Sequence, residues 1–300
     1  MKTTESRTAV LITAWTVIIS IGLFTVVAQE IFHFRVSEDL QYYVAMGIPL
    51  VGLLLTFAWK AIRPLRPFFG LFLVLEAAHW LVLARLDRLP VFQSWLRNPS
   101  FNVYMLAEQS LKLIITLAII AFLFVIHKKR QAFFLARGDT AAPMEAIPWL
   151  GIRKGTRWNK FGPIAGVCIT LGLLVFLVLG GRPSAAMFGK VLPFVPAILL
   201  AATLNAFYEE VTFKASFLSV LENVVGRQQA LLLMAAFFGF LHFYGVPYGV
   251  LGVLMAGILG WLLGRSMLET RGLWWAWFIH FLQDVAVFVF LAVGSVTPGG

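Results

Sequence analysis

Residues 191–225 read VLPFVPAILLAATLNAFYEEVTFKASFLSVLENVV, and this stretch decides the class of fold. It is apolar along most of its length, yet it contains two adjacent carboxylates, Glu209 and Glu210. A charged side chain at the centre of a bilayer costs at least about 2.5–3.5 kcal/mol. Two such side chains next to each other in an apolar segment therefore indicate that the molecule uses them.

The rest of the chain has the same apolar character. The sequence is 60% hydrophobic and 13% charged, whereas soluble domains carry about 25% charged residues. Apolar runs near 20 residues predict helices that cross the roughly 30 Å hydrocarbon core. We therefore predict an all-α fold, a polytopic transmembrane helical bundle of eight to nine spans. The candidate spans cover residues 9–28, 42–59, 68–84, 103–126, 161–179, 191–225, 229–244, 248–263 and 273–293.

The sixth and seventh spans are predicted to form an antiparallel hairpin around Gly226. The sixth span is too long for one crossing, and Pro193 and Pro196 are expected to break its start. Glu210 lies 16 residues before Gly226, and His242 lies 16 residues after it. At 1.5 Å per residue, both lie about 24 Å from the turn. The sequence therefore predicts that the two side chains lie at the same depth in the bilayer.

Lys and Arg residues concentrate in alternate loops, beginning with the N-terminus. By the positive-inside rule, we expect a cytoplasmic N-terminus. We further expect a multi-pass protein of a prokaryotic inner membrane. The net charge of +10 is then explained by contact with lipid headgroups of the bilayer and not by nucleic acid. The loop at residues 127–160 contributes most of this bias through Lys128, Lys129, Arg130, Arg137, Arg153, Lys154, Arg157 and Lys160.

The same loop divides the chain. We predict an N-terminal four-span helical block at residues 1–126, a basic cytoplasmic loop at 127–160 and a five-span block at 161–300. The single cysteine, Cys168, excludes an intrachain disulfide and a cysteine-based metal cluster. Polar side chains with reactive chemistry fall almost wholly in the second block.

The spacing of these polar side chains permits a single intramembrane site. Residues four apart share a helix face, whereas adjacent residues point about 100° apart. Lys214 is therefore expected to neutralise and position Glu210, which leaves Glu209 for the site. The side chains that the spacing allows to share one pocket are Glu209, Glu210, His242, His280 and Asp284.

This combination of side chains suits the hydrolysis of a carbonyl compound. A carboxyl group in an apolar pocket can both take and return a proton, so Glu209 is the candidate base. His242 can hold the water. His280 and Asp284 either stabilise an oxyanion or bind a metal, and Asp284 must be protonated to face an oxyanion because a carboxylate would repel it.

Three motifs occur in order: Glu209-Glu210-Val-Thr-Phe-Lys214, then Phe238-Gly-Phe-Leu-His242, then His280-Phe-Leu-Gln-Asp284. Over roughly residues 160–295 the chain resembles the CAAX-protease and bacteriocin-processing family of intramembrane endopeptidases. The pattern of that family is EExxxR, FxxxH and HxxxN/D. This sequence departs from the pattern at Lys214, where arginine is usual, and has Asp284 where asparagine is commoner.

The resemblance implies a peptidase that hydrolyses a membrane-bound peptide or protein. Glu209 and His242 would activate water, and His280 and Asp284 would complete the site, supported by Glu210, Lys214 and Phe238. The resemblance leaves open two alternatives: a divalent metal such as Zn²⁺ held by Glu209, His242, His280 and Asp284, or catalysis without a metal. It also makes the block at residues 161–300 the catalytic one.

Two other functions fit parts of the pattern. A non-catalytic immunity or binding protein could keep the same fold, and a proton-coupled transporter could use intramembrane charges as a relay. Pairs that such a relay could use are Glu76 with His79 and Glu108 with Lys112, which we expect to contact each other. The glycines of the eighth span are expected to form a close helix-packing face.

Overall fold

The computed structural model describes residues 4–98, 100–127 and 129–295. These residues form helices joined by turns and loops, with no β-strand among them. The predicted all-α fold is therefore confirmed. The α-helices are α1 (Thr4–Val26), α2 (Glu38–Ala58), α3 (Arg66–Leu83), α4 (Pro90–Leu96), α5 (Phe101–His127), α6 (Trp158–Gly181), α7 (Ala185–Val191), α8 (Val195–Glu209), α9 (Ser216–Val225), α10 (Arg227–Phe240), α11 (Val250–Thr270) and α12 (Trp274–Ser295).

Eight helical stretches within the described ranges are long and apolar enough to cross a membrane by length and composition. This number confirms the predicted bundle of eight to nine spans. The predicted span at residues 229–244 is longer than the helix in the structure, because α10 has 14 residues and ends at Phe240. Its rise of about 21 Å is shorter than the hydrocarbon core. The chain turns at residues 241–249, where Gly245 and Pro247 disfavour a continued helix.

The sixth predicted span is broken, as its prolines indicate. The stretch Ala185–Val225 has 41 residues, which as one straight helix would measure about 61 Å, twice the thickness of the core. Pro193 lies in the 3₁₀ turn Leu192–Phe194, and Pro196 lies in the first turn of α8. The continuous apolar run is thus divided into α7, α8 and α9.

A π-helical segment, Glu210–Ala215, joins α8 to α9. The backbone N–H of Ser216 donates to the carbonyl of Val211, five residues earlier, which is the π-helical pattern. Such single-turn insertions change which side chains share a face of the helix. Here the insertion begins immediately after Glu209, so it sets the directions in which the side chains after that residue point.

The loops with most of the basic residues meet at one end of the bundle. The backbone N–H of Asp139 donates to the carbonyl of Thr270 over 2.8 Å. Arg271, in the turn between α11 and α12, pairs with Glu222 of α9 over 2.6 Å. The long loop and the turns that follow α9 and α11 therefore share one side, as the charge bias requires. Lys128 of this loop lies outside the described residues.

Small residues bring α10 and α11 together, as expected for the predicted eighth span. A Cβ atom on Gly239 would lie 2.7 Å from the carbonyl oxygen of Val253. A Cβ atom on Gly260 would lie 2.9 Å from the ring of Phe238. The absence of side chains at these glycines lets the two helices pack closely within one chain.

Aromatic rings connect the early helices to the later ones. Phe72 of α3 makes edge-to-face contacts with Phe217 of α9 and Phe237 of α10, with ring centroids 5.1 Å and 5.2 Å apart. All three side chains are buried. Each such pair contributes about 0.5–1.5 kcal/mol beyond the burial of its surface. The N-terminal helices thus form a wall against which α9 and α10 are positioned.

Candidate active site

Four polar side chains converge where α8 meets α12. Glu209 ends α8, Glu210 begins the π-helical segment, and His280 and Asp284 lie one turn apart on α12. His280 Nδ1 lies 2.6 Å from Glu210 Oε1, and its Nε2 lies 3.5 Å from Glu209 Oε2. Asp284 Oδ1 lies 3.6 Å from the same Nε2. The structure therefore places these four predicted site residues together.

Glu210 is held from two sides. Lys214 Nζ lies 2.7 Å from its Oε1, and both side chains are fully buried, so the ion pair that the spacing predicts is present. A carboxylate only accepts hydrogen bonds, so His280 Nδ1 carries the hydrogen in its contact with the same oxygen. The sequence does not predict this second contact. The two nitrogens of the His280 ring lie on different edges of the ring. Nδ1 can therefore contact Glu210 while Nε2 faces Glu209, although the two glutamate side chains point in different directions.

Glu209 has one engaged oxygen and one available oxygen. Its Oε1 accepts a hydrogen bond from Asn205 Nδ2 over 3.1 Å. Its Oε2, which faces His280, has no hydrogen-bond partner among the described residues. The Glu209 side chain is 18% exposed, whereas that of Glu210 is 0% exposed. Glu210 Oε2 likewise has no hydrogen-bond partner among the described residues. The exposed fraction of the side chain is therefore what distinguishes Glu209 as the carboxylate that a substrate can approach.

Asn205 is a site residue that reasoning from the sequence missed. Its Nδ2 donates to Glu209 Oε1 and to Asp284 Oδ2, each over 3.1 Å. A search for charged and metal-binding side chains does not detect a neutral amide. The sequence nevertheless contains a signal, because Asn205 lies four residues before Glu209 and so on the same face of α8.

His242 lies in a turn at the edge of the cluster. The sequence predicts it inside a span, but it follows the end of α10 by two residues, in the segment interrupted by Gly245 and Pro247. Its Nδ1 donates to the carbonyl of Phe238 over 2.7 Å, so Nε2 keeps a lone pair. No hydrogen bond to Nε2 occurs within the described part of the chain. His242 is close enough to Glu209 for electrostatic interaction.

The ring of Phe238 lies close to both His242 and the cluster. Its ring centroid is 4.5 Å from that of His242 and 6.4 Å from that of His280. Lys214 Nζ lies over the same ring at 3.5 Å, within the range of a cation–π contact. The residue predicted to support the site thus contacts the charged pair on one side and the turn that carries His242 on the other.

The residues do not fit a metal ion as they are arranged. In the described ranges, no group of three or more His, Cys, Asp or Glu side chains is placed to hold one. The Nδ1 atom of His280 faces a carboxylate, and Asn205 engages one oxygen of each of the other two carboxylates. Among the residues that the structure describes, His242 makes no hydrogen bond or ion pair with any of these carboxylates; its Nδ1 is engaged by a backbone carbonyl.

Two further pairs of polar side chains were predicted on α3 and α5, and the structure confirms one of them. Glu108 and Lys112 form the expected ion pair, with 2.8 Å between Oε1 and Nζ. The predicted contact of His79 with Glu76 is wrong, because His79 Nε2 instead makes a 2.7 Å hydrogen bond with the hydroxyl of Tyr208. Positions three apart on α3 diverge enough for His79 to face α8 while Glu76 lines a cavity.

That cavity has a volume of about 250 Å³ and lies beside the turn that carries His242. Side chains of α1, α2, α3 and the end of α10 form its wall. Phe240, Leu241 and Tyr244 of the wall flank His242 in the sequence. The cavity is therefore a candidate for the region where an extended ligand approaches the cluster.

The fold and the cluster together define a multi-pass helical membrane protein with a buried carboxylate–imidazole site. The family model described as "Rce1-like: Type II CAAX prenyl endopeptidase Rce1-like" matches residues 191–286, a range that contains all three motifs. This part of the chain is therefore similar to the Rce1-like family, which confirms the predicted resemblance. The match supports a peptidase, and in general terms an intramembrane endopeptidase. No curated protein and no solved structure matches the chain significantly.

Proposed function

We propose that the protein is an intramembrane endopeptidase that hydrolyses a peptide bond of a membrane-associated protein or peptide, with Glu209 as the base. One observation carries the proposal: among the described residues, Glu209 Oε2 has no hydrogen-bond partner, and it faces a histidine held by two other carboxylates. The match to an endopeptidase family over residues 191–286 supports the same reaction class.

Water activation uses two acceptors. Glu209 Oε2 accepts one hydrogen of the water, and the lone pair of His242 Nε2 accepts the other, because Nδ1 of that ring already donates to a backbone carbonyl. The water oxygen attacks the carbonyl carbon of the substrate while its proton passes to Glu209. A general base in this role typically contributes 10²- to 10⁴-fold to the rate, as an order of magnitude.

The tetrahedral intermediate carries a negative charge on the former carbonyl oxygen. His280, protonated on both ring nitrogens, donates from Nε2 to this oxygen, while Glu210 holds the ring through Nδ1. Asp284 lies 3.6 Å from Nε2 and accepts from Asn205, so in this mechanism it stabilises the imidazolium and does not face the oxyanion. A preorganised donor is effective here because the site is shielded from water.

The intermediate then collapses. The C–N bond breaks, and the proton that Glu209 received is returned to the leaving nitrogen. The products are a carboxyl terminus and an amine terminus, and Glu209 is again a carboxylate. One glutamate thus serves first as base and then as acid, which balances the protons without another participant.

For the substrate, the description of the matched family suggests a first candidate. A prenylated peptide with a C-terminal CAAX sequence is the chemistry that this description names. The cavity beside His242 has a mixed wall, with apolar residues of α1 and α2 together with Glu76 and Gln41, so it offers a hydrocarbon chain contact on part of its surface only. A leader peptide or a small membrane protein is the alternative. Purified protein in liposomes, offered prenylated and unprenylated forms of one peptide, separates these classes by their cleavage rates.

Comparative proteomics tests the function even while the substrate is unidentified. Cells that express the wild type or Glu209→Gln are compared for newly formed N- and C-termini of membrane-associated proteins. We expect a set of termini that occurs only with the wild type. If both strains show the same termini while a protective phenotype persists, the protein acts as a binding or immunity protein and the endopeptidase proposal fails.

The role of a metal requires its own measurement. The proposed mechanism uses only side chains of this chain, so chelation by EDTA or 1,10-phenanthroline is expected to leave the cleavage rate unchanged. A loss of activity that added Zn²⁺ restores would instead support the metal-bound alternative. Dialysed enzyme in metal-free buffer is the matched control.

A further inference from the structure

We propose that Lys112 and Asn205 form a positioning pair that orients the two outer carboxylates of the site, Glu209 and Asp284. The inference rests on the proposed hydrolytic function and extends it. Lys112 belongs to α5, which lies outside the matched range of residues 191–286. A helix from the N-terminal part of the chain would therefore be needed to complete the site.

A continuous path of polar contacts runs from α5 through α8 to α12. Lys112 Nζ lies 2.8 Å from Glu108 Oε1 and 3.0 Å from Asn205 Oδ1. Asn205 Nδ2 in turn donates to Glu209 Oε1 and to Asp284 Oδ2, each over 3.1 Å. Every contact is of hydrogen-bonding length. The ammonium group on α5 is thus linked to both carboxylates through a single amide.

The chemistry of the amide fixes its direction. An ammonium group only donates, so the oxygen of the Asn205 amide must face Lys112. The nitrogen then points the other way, and its two hydrogens match the two carboxylate oxygens. Without Lys112 the amide oxygen loses its donor, and the amide is held only by the hydrogens that it gives to the two carboxylates. Its position is then less firmly fixed, and so are the carboxylates that depend on it.

The orientation of Glu209 depends on this arrangement. Asn205 is only 5% exposed, so solvent does not readily replace a lost partner. With Oε1 held by the amide, the other oxygen of Glu209 is directed toward His280, where the proposed mechanism requires it. Lys112 therefore acts on the reaction through Asn205 and does not contact the substrate.

A simpler role for Lys112 is the neutralisation of Glu108. The double variant Glu108→Gln with Lys112→Met removes both charges and keeps the volume of both side chains. If neutralisation is the whole role, this variant cleaves at the wild-type rate. The positioning role predicts that kcat falls about 10- to 100-fold with little change in KM, as expected for a misaligned reactive group. Glu108→Gln alone is the matched control and should keep its activity.

A double-mutant cycle tests whether Lys112 acts through Asn205. Asn205→Leu removes the amide, and we expect kcat to fall to a similar degree. Adding Lys112→Met to Asn205→Leu, in the Glu108→Gln background, should lower kcat no further. If the two effects multiply instead, Lys112 works independently of the amide and the proposal is overturned.

A measurement that does not depend on activity keeps the two proposals separable. The chain has five asparagines, so selective ¹⁵N labelling allows the Asn205 amide to be assigned by comparison with Asn205→Leu. We expect slow exchange of its hydrogens in the wild type and in Glu108→Gln, and a shifted, faster signal in the double variant. An unchanged signal overturns the positioning pair. If the wild type cleaves no substrate but the Asn205 signal changes as expected in the double variant, the hydrolytic function is refuted and the positioning pair is not.

Discussion

At the scale of residues, the two adjacent glutamates differ in their partners. Glu210 is fully buried between an ammonium and an imidazole, whereas the side chain of Glu209 is 18% exposed and accepts a hydrogen bond from a neutral amide. Each carboxylate keeps one oxygen without a hydrogen-bond partner among the described residues, so exposure is what distinguishes the two. In the proposed mechanism Glu209 is therefore the proton acceptor, and Glu210 holds His280.

The buried ion pair can be tested through stability. Lys214→Met leaves the fully buried Glu210 without its ammonium partner, and removing one member of a buried pair costs about 3–5 kcal/mol. We expect a clearly lower unfolding temperature in detergent. Lys214→Arg keeps the charge and should lose much less, and Glu210→Gln combined with Lys214→Met should recover part of the loss. Wild-type stability of Lys214→Met would contradict the assigned role of the pair.

The sequence predicts part of the residue-level picture. Motif spacing places Glu209, His280 and Asp284 in one cluster because residues near a helix crossing share a depth and residues four apart share a face. It does not predict the contact of Glu210 with His280. That contact depends on how α8 crosses α12, which is decided by tertiary packing. Asn205 was missed because a neutral amide has no charge to mark it.

At the scale of elements, two departures from regular α-helix shape the site. The π-helical segment Glu210–Ala215 begins directly after Glu209, and α10 ends two residues before His242. The pattern of apolar residues predicts that both regions continue as regular α-helix, because it reveals neither a single inserted residue nor the exact end of a helix. Irregular backbone at membrane depth is tolerated where protein covers it. Both departures lie next to residues of the candidate site, where such irregularities are often found.

Close packing of α10 against α11 is testable with a matched pair of glycines. Gly239→Ala would place its Cβ atom 2.7 Å from the carbonyl of Val253, whereas for Gly257→Ala the nearest atom lies at 3.5 Å. We expect Gly239→Ala to destabilise the protein by about 1–3 kcal/mol through overpacking. Gly257→Ala should be neutral. Thermal unfolding in detergent measures both, and equal unfolding temperatures would contradict the packing described here.

At the scale of the whole molecule, charge and contact agree on the arrangement of the loops. The basic loop, the turn after α9 and the turn after α11 meet at one end, linked by Arg271 with Glu222. At another set of loops, Arg85 contacts Asp39 and Arg88 contacts Glu38. The alternation that the positive-inside rule needs is therefore compatible with the fold. We propose that the basic end faces the cytoplasm.

Labelling of single cysteines tests this orientation. Cys168→Ser gives a chain without cysteine, into which Lys154→Cys or Phe34→Cys is introduced at exposed positions. In spheroplasts, a membrane-impermeant maleimide should modify Phe34→Cys at once. Lys154→Cys should react only after permeabilisation, because the basic loop is expected inside. The reverse pattern would show that the proposed orientation is inverted.

The overall class of fold follows from composition and run length. Eight long apolar helices were predictable because the hydrocarbon core requires about 20 apolar residues per crossing. The arrangement of α3 against α9 and α10 was not, since the ring contacts of Phe72 with Phe217 and Phe237 join positions far apart in sequence. For the same reason the contact of Lys112 with Asn205 became visible only in three dimensions.

The most direct test of the central claim is the cleavage rate of purified Glu209→Gln in liposomes, on the substrate that the proteomic comparison identifies. Glutamine can still accept a hydrogen bond from Asn205 but cannot take the proton of the water. We predict a fall in kcat of about 10²- to 10⁴-fold, with an unfolding temperature near that of the wild type. Glu222→Gln, which alters a carboxylate that pairs with Arg271 outside the cluster, should cleave normally. Cleavage by Glu209→Gln at the wild-type rate would contradict the account.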